Sequence, residues 1–216
     1  MPENNFNIIG LLRASFWSPG KLLSDLLGIG AMADMVSKSL RKTAIKIRKA
    51  AFEKLLAEKA NYLWADESII IMNGAKPNGT ELQTAQKLAK TEDYFLVFPN
   101  DGQIQEVRLL LKDSGEKRND VYLIDRTTYK AIAADIKTCG NPSVETIAAH
   151  LSGGVNQAPN LILDITGKIS KAKLIKGLRA GWSKRLRFLY LNYHGRWYLL
   201  DKAKVFDNSW LTKTLR

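Results

Sequence analysis

Strands and helices alternating along 216 residues predict an α/β or α+β layer fold with a mixed sheet, preceded by a helical N-terminal segment. Three observations carry this expectation. The first third is rich in Ala, Lys, Leu and Glu with roughly 3.6-residue apolar spacing, the remainder breaks into short apolar runs, and turn formers separate those runs. Hydrophobic residues at 45% and charged residues at 25% are those of a globular chain, which excludes collagen-like, disordered and purely coiled-coil architectures.

Residues 6–64 read as helical. Ile8-Ile9-Gly10-Leu11-Leu12 and Leu22-Leu23-Ser24-Asp25-Leu26-Leu27 are apolar clusters, and Ile45, Ala51, Phe52, Leu55, Leu56, Lys59 and Leu63 line one face of an amphipathic helix. Ser18-Pro19-Gly20 and Gly28-Ile29-Gly30 are expected to interrupt it. The longest apolar stretch, residues 22–36, carries Asp25 and Asp34, so no membrane span is expected. Met1-Pro2-Glu3-Asn4-Asn5 lacks the basic and then apolar opening of a secretory signal. The single cysteine, Cys139, excludes an internal disulfide and a multi-thiolate zinc site.

Asn73-Gly74-Ala75-Lys76-Pro77-Asn78-Gly79 reads as a linker, dividing a helical segment 1–72 from a second domain 73–216. Thr80, with Gln83 three residues on, fits a capping box for a helix whose first turn holds Glu81 and whose face is lined by Leu82, Ala85 and Ala89. Strands are expected at 94–98, 120–125, 129–137, 160–165, 187–193 and 196–200, with helices at 143–151 and 170–182. Residues 160–165 read as a fully apolar strand, and 104–112 fit strand or helix equally. His194-Gly195 is a two-residue hairpin turn.

The charge is uneven. Of 33 Lys and Arg against 21 acids in the whole chain, residues 168–216 hold 13 against two. Such a basic surface with interleaved aromatics is the footprint of a polyanion binder, although anionic lipid or an acidic protein would answer the same charge. On the helix 170–182, Leu174, Ile175 and Leu178 point to the core and Lys171, Lys176 and Arg179 outward. Lys184, Arg185, Arg187 and Arg196 extend the patch. Trp182, Tyr190, Tyr193 and Trp197 either stack on bases or fill the core, with the core expected for at least half of them.

The chemistry concentrates in Asn119-Asp120-Val121-Tyr122-Leu123-Ile124 and Ala133-Ala134-Asp135-Ile136-Lys137. If these strands pair antiparallel about a turn centred between Thr127 and Thr128, Asp120 faces Asp135 with Cβ atoms about 5 Å apart. Lys137 then lies on the same face, two residues beyond Asp135. Two carboxylates directly opposed across a ladder repel at a cost unless a cation sits between them, and hard oxygen donors at that spacing suit Mg²⁺ or Mn²⁺. A neighbouring ammonium can hold a water or stabilise charge on a phosphate, which is a phosphodiesterase arrangement. A surface hairpin with exposed Asp and Lys is the plainer alternative. His150 and His194 form no zinc or nucleophile pair, and Ser152-Gly153-Gly154 lacks the lysine of a phosphate-binding loop.

Asp120, four apolar residues, Asp135-Ile136-Lys137 after a turn, and Glu81 on a preceding helix together resemble the D-x-K variant of the PD-(D/E)XK nuclease superfamily. Gly79-Thr80-Glu81 with Thr84-Ala85 and Leu88-Ala89, the strand ending in Pro99, and Gln157-Ala158 before Leu161-Ile162-Leu163-Asp164-Ile165 extend the likeness. In that order they are similar to the C-terminal toxin domain of bacterial contact-dependent growth inhibition proteins, over residues 74 to about 205. Glu3-Asn4-Asn5 resembles the boundary before that variable region. Asn119 replaces the motif proline, and Asp135 the commoner glutamate.

The resemblance implies a restriction-endonuclease-like mixed sheet flanked by helices and a Mg²⁺ (or Mn²⁺) site. The ligands would be Glu81, Asp120, Asp135 and the Ile136 carbonyl, with Lys137 as catalytic lysine and Gln157 as a further functional residue. It also implies a bacterial toxin delivered into the target-cell cytoplasm, cutting transfer RNA or, as the runner-up, DNA. A cognate acidic immunity protein is implied as partner, and residues 6 to about 72 would contact a membrane or receptor during uptake. Two other readings remain open: a non-catalytic nucleic-acid or acidic-protein binding module, and a nuclease of a mobile element or repair system.

Overall fold

A computed structural model describes residues 19–57, 62–100 and 119–215. The chain divides into two compact units, residues 1–46 and 47–216. Of the first unit, residues 19–46 are described, as part of helix α1 (Pro19–Ala57). Pro19 begins α1, where its missing N–H costs nothing, and the helix continues through Gly28 and Gly30 instead of breaking there. Met35, Val36 and Leu40 are exposed. No helix among the described residues is long and apolar enough to cross a membrane.

Among its described residues the second unit forms an eight-stranded mixed sheet whose strands lie side by side in chain order. They are β1 (Tyr62–Asp66), β2 (Ile69–Met72), β3 (Tyr94–Phe98), β4 (Val121–Asp125), β5 (Ala131–Cys139), β6 (Asn160–Ile165), β7 (Phe188–Tyr193) and β8 (Arg196–Leu200). Parallel neighbours need a crossover, and α2 (Gly79–Ala89), α3 (Val144–Gly154) and α4 (Lys171–Gly181) supply it between β2 and β3, β5 and β6, and β6 and β7. Short helices α5 (Lys202–Phe206) and α6 (Asn208–Thr214) follow β8. In the β7–β8 hairpin, His194 and Gly195 both take positive φ, +52° and +77°, as the twist of a two-residue turn requires.

Alternation of side chains divides the sheet between two helix layers. On one face Val121, Leu123, Ala134, Ile136 and Ile162 pack under Ala85, Leu88 and Ala89 of α2. On the other, Phe52 and Leu55 of α1 cover Tyr122, Ile124 and Ala133, while α3 and α4 cover Leu161, Leu163, Leu189 and Leu191. The central strands are therefore buried on both sides.

Several expectations are corrected. The helix is described as far as Ala57, Lys59 lies outside the described residues, and 62–72 form the β1–β2 hairpin, so Leu63 lies on an exposed strand. The β-branched run Ile69-Ile70-Ile71 is better suited to a strand buried on both faces. The compact units part at 46/47, and Asn73–Gly79 connects β2 to α2 inside the second unit. The capping box is made by Asn78 and Glu81, not by Thr80 and Gln83. Residues 104–112 and the 8–12 cluster lie outside the described residues.

Candidate active site

The β4–β5 hairpin is set by its turn. Asp125 Oδ1 accepts from the backbone N–H of Thr127 (3.0 Å) and Thr128 (2.6 Å) and from Thr128 Oγ1 (2.8 Å). Tyr129 sits at φ +52°. This local closure fixes the pairing of Val121 with Ala134, Tyr122 with Ala133 and Leu123 with Ile132. It is the predicted register, and continuing it by one residue brings Asp120 opposite Asp135. Asp120 Oδ2 caps the end of the ladder by accepting the Ile136 N–H at 2.9 Å.

Asp135 is wholly buried, and its charge partner is close. Lys137 Nζ donates to Asp135 Oδ1 at 3.0 Å and lies 2.8 Å from Oδ2. Even so, burial, and next its hydrogen bond with Asp120, push the Asp135 carboxyl up to about 7, which outweighs the lysine. Oδ2 has the ammonium beside it but no partner in hydrogen-bonding geometry among the described residues. Helix α3 lies directly over it: a Cβ on Gly154 would come within 2.1 Å of Leu161 Cδ2 and 2.7 Å of Asp135 Oδ2. Gly154 thus serves close packing on the buried acid. His150, on the same helix, has its pKa held below the usual value by burial and by the charge of Lys137.

Glu81 approaches from α2, on the opposite face of the sheet from Asp135. It lines a cleft of about 400 Å³ with Asp120, Asn119 and Phe98. Its Oε2 accepts the Asn78 N–H at 2.9 Å and its Oε1 an Asn78 side-chain N–H, so both oxygens serve the helix cap. Burial, and more weakly Asp120, raise its pKa. Asp120 is thus the link between Glu81 on one side and Asp135 with Lys137 on the other. Among the described residues, no three acidic, His or Cys side chains gather as one metal-binding group. The pair Asp120 and Asp135 nevertheless offers what a hard divalent cation prefers: adjacent carboxylates, a carboxyl titrating near neutrality, and a buried oxygen short of donors.

Gln157 is exposed in the turn after α3, its backbone N–H donating to Gly154 O at 2.8 Å, and its side chain meets none of the carboxylates among the described residues. The basic residues divide. Lys176, Lys184, Arg185, Arg187 and Arg196 are exposed. Lys171 instead ties down the end of α6, donating to the carbonyls of Thr212 (2.9 Å) and Leu215 (3.1 Å), and Arg179 Nε donates to Val205 O at 3.0 Å. The aromatics serve the core, as expected for at least half. Tyr190 donates to Tyr94 Oη and Tyr193 to Ile169 O, while Trp182 and Trp197 are half-buried against the clusters beneath them.

The strand read as fully apolar holds a second buried acid. Asp164 of β6 pairs with Lys87 of α2 and accepts from Asn192 Nδ2 at 2.9 Å and Thr84 Oγ1 at 3.3 Å. The signal available in the sequence was the Asp itself, a charge inside Leu-Ile-Leu-Asp-Ile, which demands buried donors. No family model, curated protein or solved structure matches the chain.

Proposed function

We propose that the second unit is a metal-dependent phosphodiesterase acting on nucleic acid, with Asp120, Asp135 and Lys137 at its centre. The observation that carries this reading is the half-buried Asp120 opposed to the wholly buried Asp135, with the Lys137 ammonium on the same face. A structural ion pair needs one acid against one base, whereas two adjacent acids are an arrangement that a divalent cation stabilises. Mg²⁺ or Mn²⁺ held by Asp120 and Asp135 would supply Lewis-acid polarisation of a phosphate oxygen and a more acidic water.

The chain's own groups then have distinct tasks. The Ile136 N–H fixes Asp120, Gly154 allows α3 to shield Asp135 from water, and Asp135 aims the Lys137 ammonium, which can stabilise charge developing on the phosphate. Glu81 contributes from across the cleft it shares with Asp120, in addition to its cap. The exposed cations Lys176, Lys184, Arg185, Arg187 and Arg196 supply attraction to a polyanion. The likeness to the PD-(D/E)XK toxin domains favours transfer RNA over DNA and a role against competing bacteria, with an acidic immunity partner.

The test is cleavage of total transfer RNA and of plasmid DNA by the purified chain, with Mg²⁺ or with EDTA, beside Asp135→Ala. Cutting that needs the metal and falls at least about a thousandfold in the variant is expected. Its restriction to RNA or DNA names the substrate. Failure to cut either, or cutting that survives Asp135→Ala, contradicts the proposal.

A further inference from the structure

The second buried acid belongs to a row that crosses four strands. Thr138 of β5, Asp164 of β6, Asn192 of β7 and Trp197 of β8 are successive lateral neighbours, and so share one face of the sheet. The row lies at the carboxyl ends of three parallel strands, where α/β sheets open crevices. Helix α2 roofs it with Thr84, which meets Thr138 and Asp164, and with Lys87. Beside the row lies a cleft of about 590 Å³ lined by Lys87, Lys90, Asp164, Thr166, Asn192 and Trp197.

One atom there lacks a partner. Asn192 is 5% exposed and spends its amide N–H on Asp164, which leaves its Oδ1 buried without a donor among the described residues. A buried carbonyl oxygen in a cleft wall is costly unless something that enters the cleft donates to it. Around it stand two ammonium groups at the rim and the half-buried indole of Trp197, held by its N–H to Lys87 O at 3.2 Å. An acceptor at the base, an aromatic wall and cations at the mouth match one ligand: a nucleotide with an N–H edge, a π face and a phosphate.

We propose that this cleft is a nucleotide subsite, taking one base of the substrate strand on the face of the sheet that α2 covers. The role in cleavage rests on the phosphodiesterase reading; the pocket's chemistry does not. Glu81 lines the first cleft and Lys87 the second, six residues and an axial rise of about 9 Å apart on α2, so the same helix borders both clefts. Asn192 Oδ1 selects bases that present a donor, Trp197 supplies the stacking surface, and Lys90 with Lys87 holds the phosphate.

The test is calorimetric titration of the full chain, in EDTA to prevent turnover, with each nucleoside 5′-monophosphate, the matching nucleosides and inorganic phosphate. Saturable binding of at least one monophosphate, tighter than both its nucleoside and inorganic phosphate, is expected. Lys90→Glu, an exposed change that does not threaten folding, and Trp197→Leu should each weaken it about tenfold. Asp135→Ala should retain it while losing cleavage. No binding at millimolar monophosphate, inorganic phosphate binding as tightly as the nucleotide, or affinity unaltered by Lys90→Glu would overturn the subsite. Persistent cleavage by Asp135→Ala would overturn the catalytic reading alone.

Discussion

Asp135 and Asp164 stand on adjacent strands, both buried, both paired with a lysine, yet their surroundings are opposite in kind. Around Asp164 the sequence supplies only donors: the Lys87 ammonium, the Asn192 amide and the Thr84 hydroxyl. Around Asp135 it supplies one lysine and a second acid. A buried carboxylate ringed by donors ties α2 to the sheet and is stable as it stands. One pressed against another carboxyl is held at a loss, and such unresolved repulsion is what a site for a cation and a phosphate requires. Burial alone therefore does not distinguish structure from chemistry; the sign of the neighbours does.

The contrast can be broken by mutation, and the largest expected effect on stability is at the satisfied site. Asp164→Ala strands the Asn192 and Thr84 donors and should cost about 2–4 kcal/mol in urea unfolding. Asp135→Ala should cost far less at alkaline pH, because it also removes a repulsion. Equal losses at both positions would erase the distinction.

The pH dependence sharpens the same comparison. With Asp135 raised to about 7 from the ordinary value of 3.8, the native chain keeps a proton that the unfolded chain releases between those values. The stabilisation is full below the unfolded pKa and is lost as pH rises through about 7, by a few kcal/mol at most. Thermal unfolding of the wild type should therefore fall by several degrees relative to Asp135→Asn from about pH 5 to about pH 8. A constant difference between the two proteins over that range would mean that the pair is not strained.

The smallest effect separates the two tasks of Glu81. Glu81→Gln preserves a side-chain acceptor for the Asn78 N–H, whereas Glu81→Ala loses the cap at about 1 kcal/mol. If Glu81 serves catalysis as well, both variants should lose cleavage while only the alanine loses stability. Full activity in Glu81→Gln would confine the residue to its cap.

Much of this was legible locally. The turn residues Asp125 to Thr128 and the alternation in β4 and β5 were enough to give the register, because a two-strand hairpin is settled by its own turn. The bounds of β3, β6 and β8 were readable for the same reason: short apolar runs end at Pro, Gly or polar residues. The β1–β2 hairpin was not, since Leu63 and Trp64 continue the apolar spacing of the preceding helix and only pairing with Ile69–Met72 decides against it. Nor could local patterns reveal that α2 and α3 cover opposite faces, which separates Glu81 from Asp135. Asp164 was hidden by its apolar neighbours, and Lys171 and Arg179 by a basic helix whose partners lie about 25 to 45 residues further on.

The central claim is that Asp120 and Asp135 are brought together for a divalent cation, and calorimetric titration of Mn²⁺ and Mg²⁺ into the wild type and Asp135→Asn tests it most directly. Binding in the wild type that tightens from about pH 6 to about pH 8, releases protons and disappears in the variant is the predicted result. Affinity that is absent at every pH, or that is the same in Asp135→Asn, would contradict it.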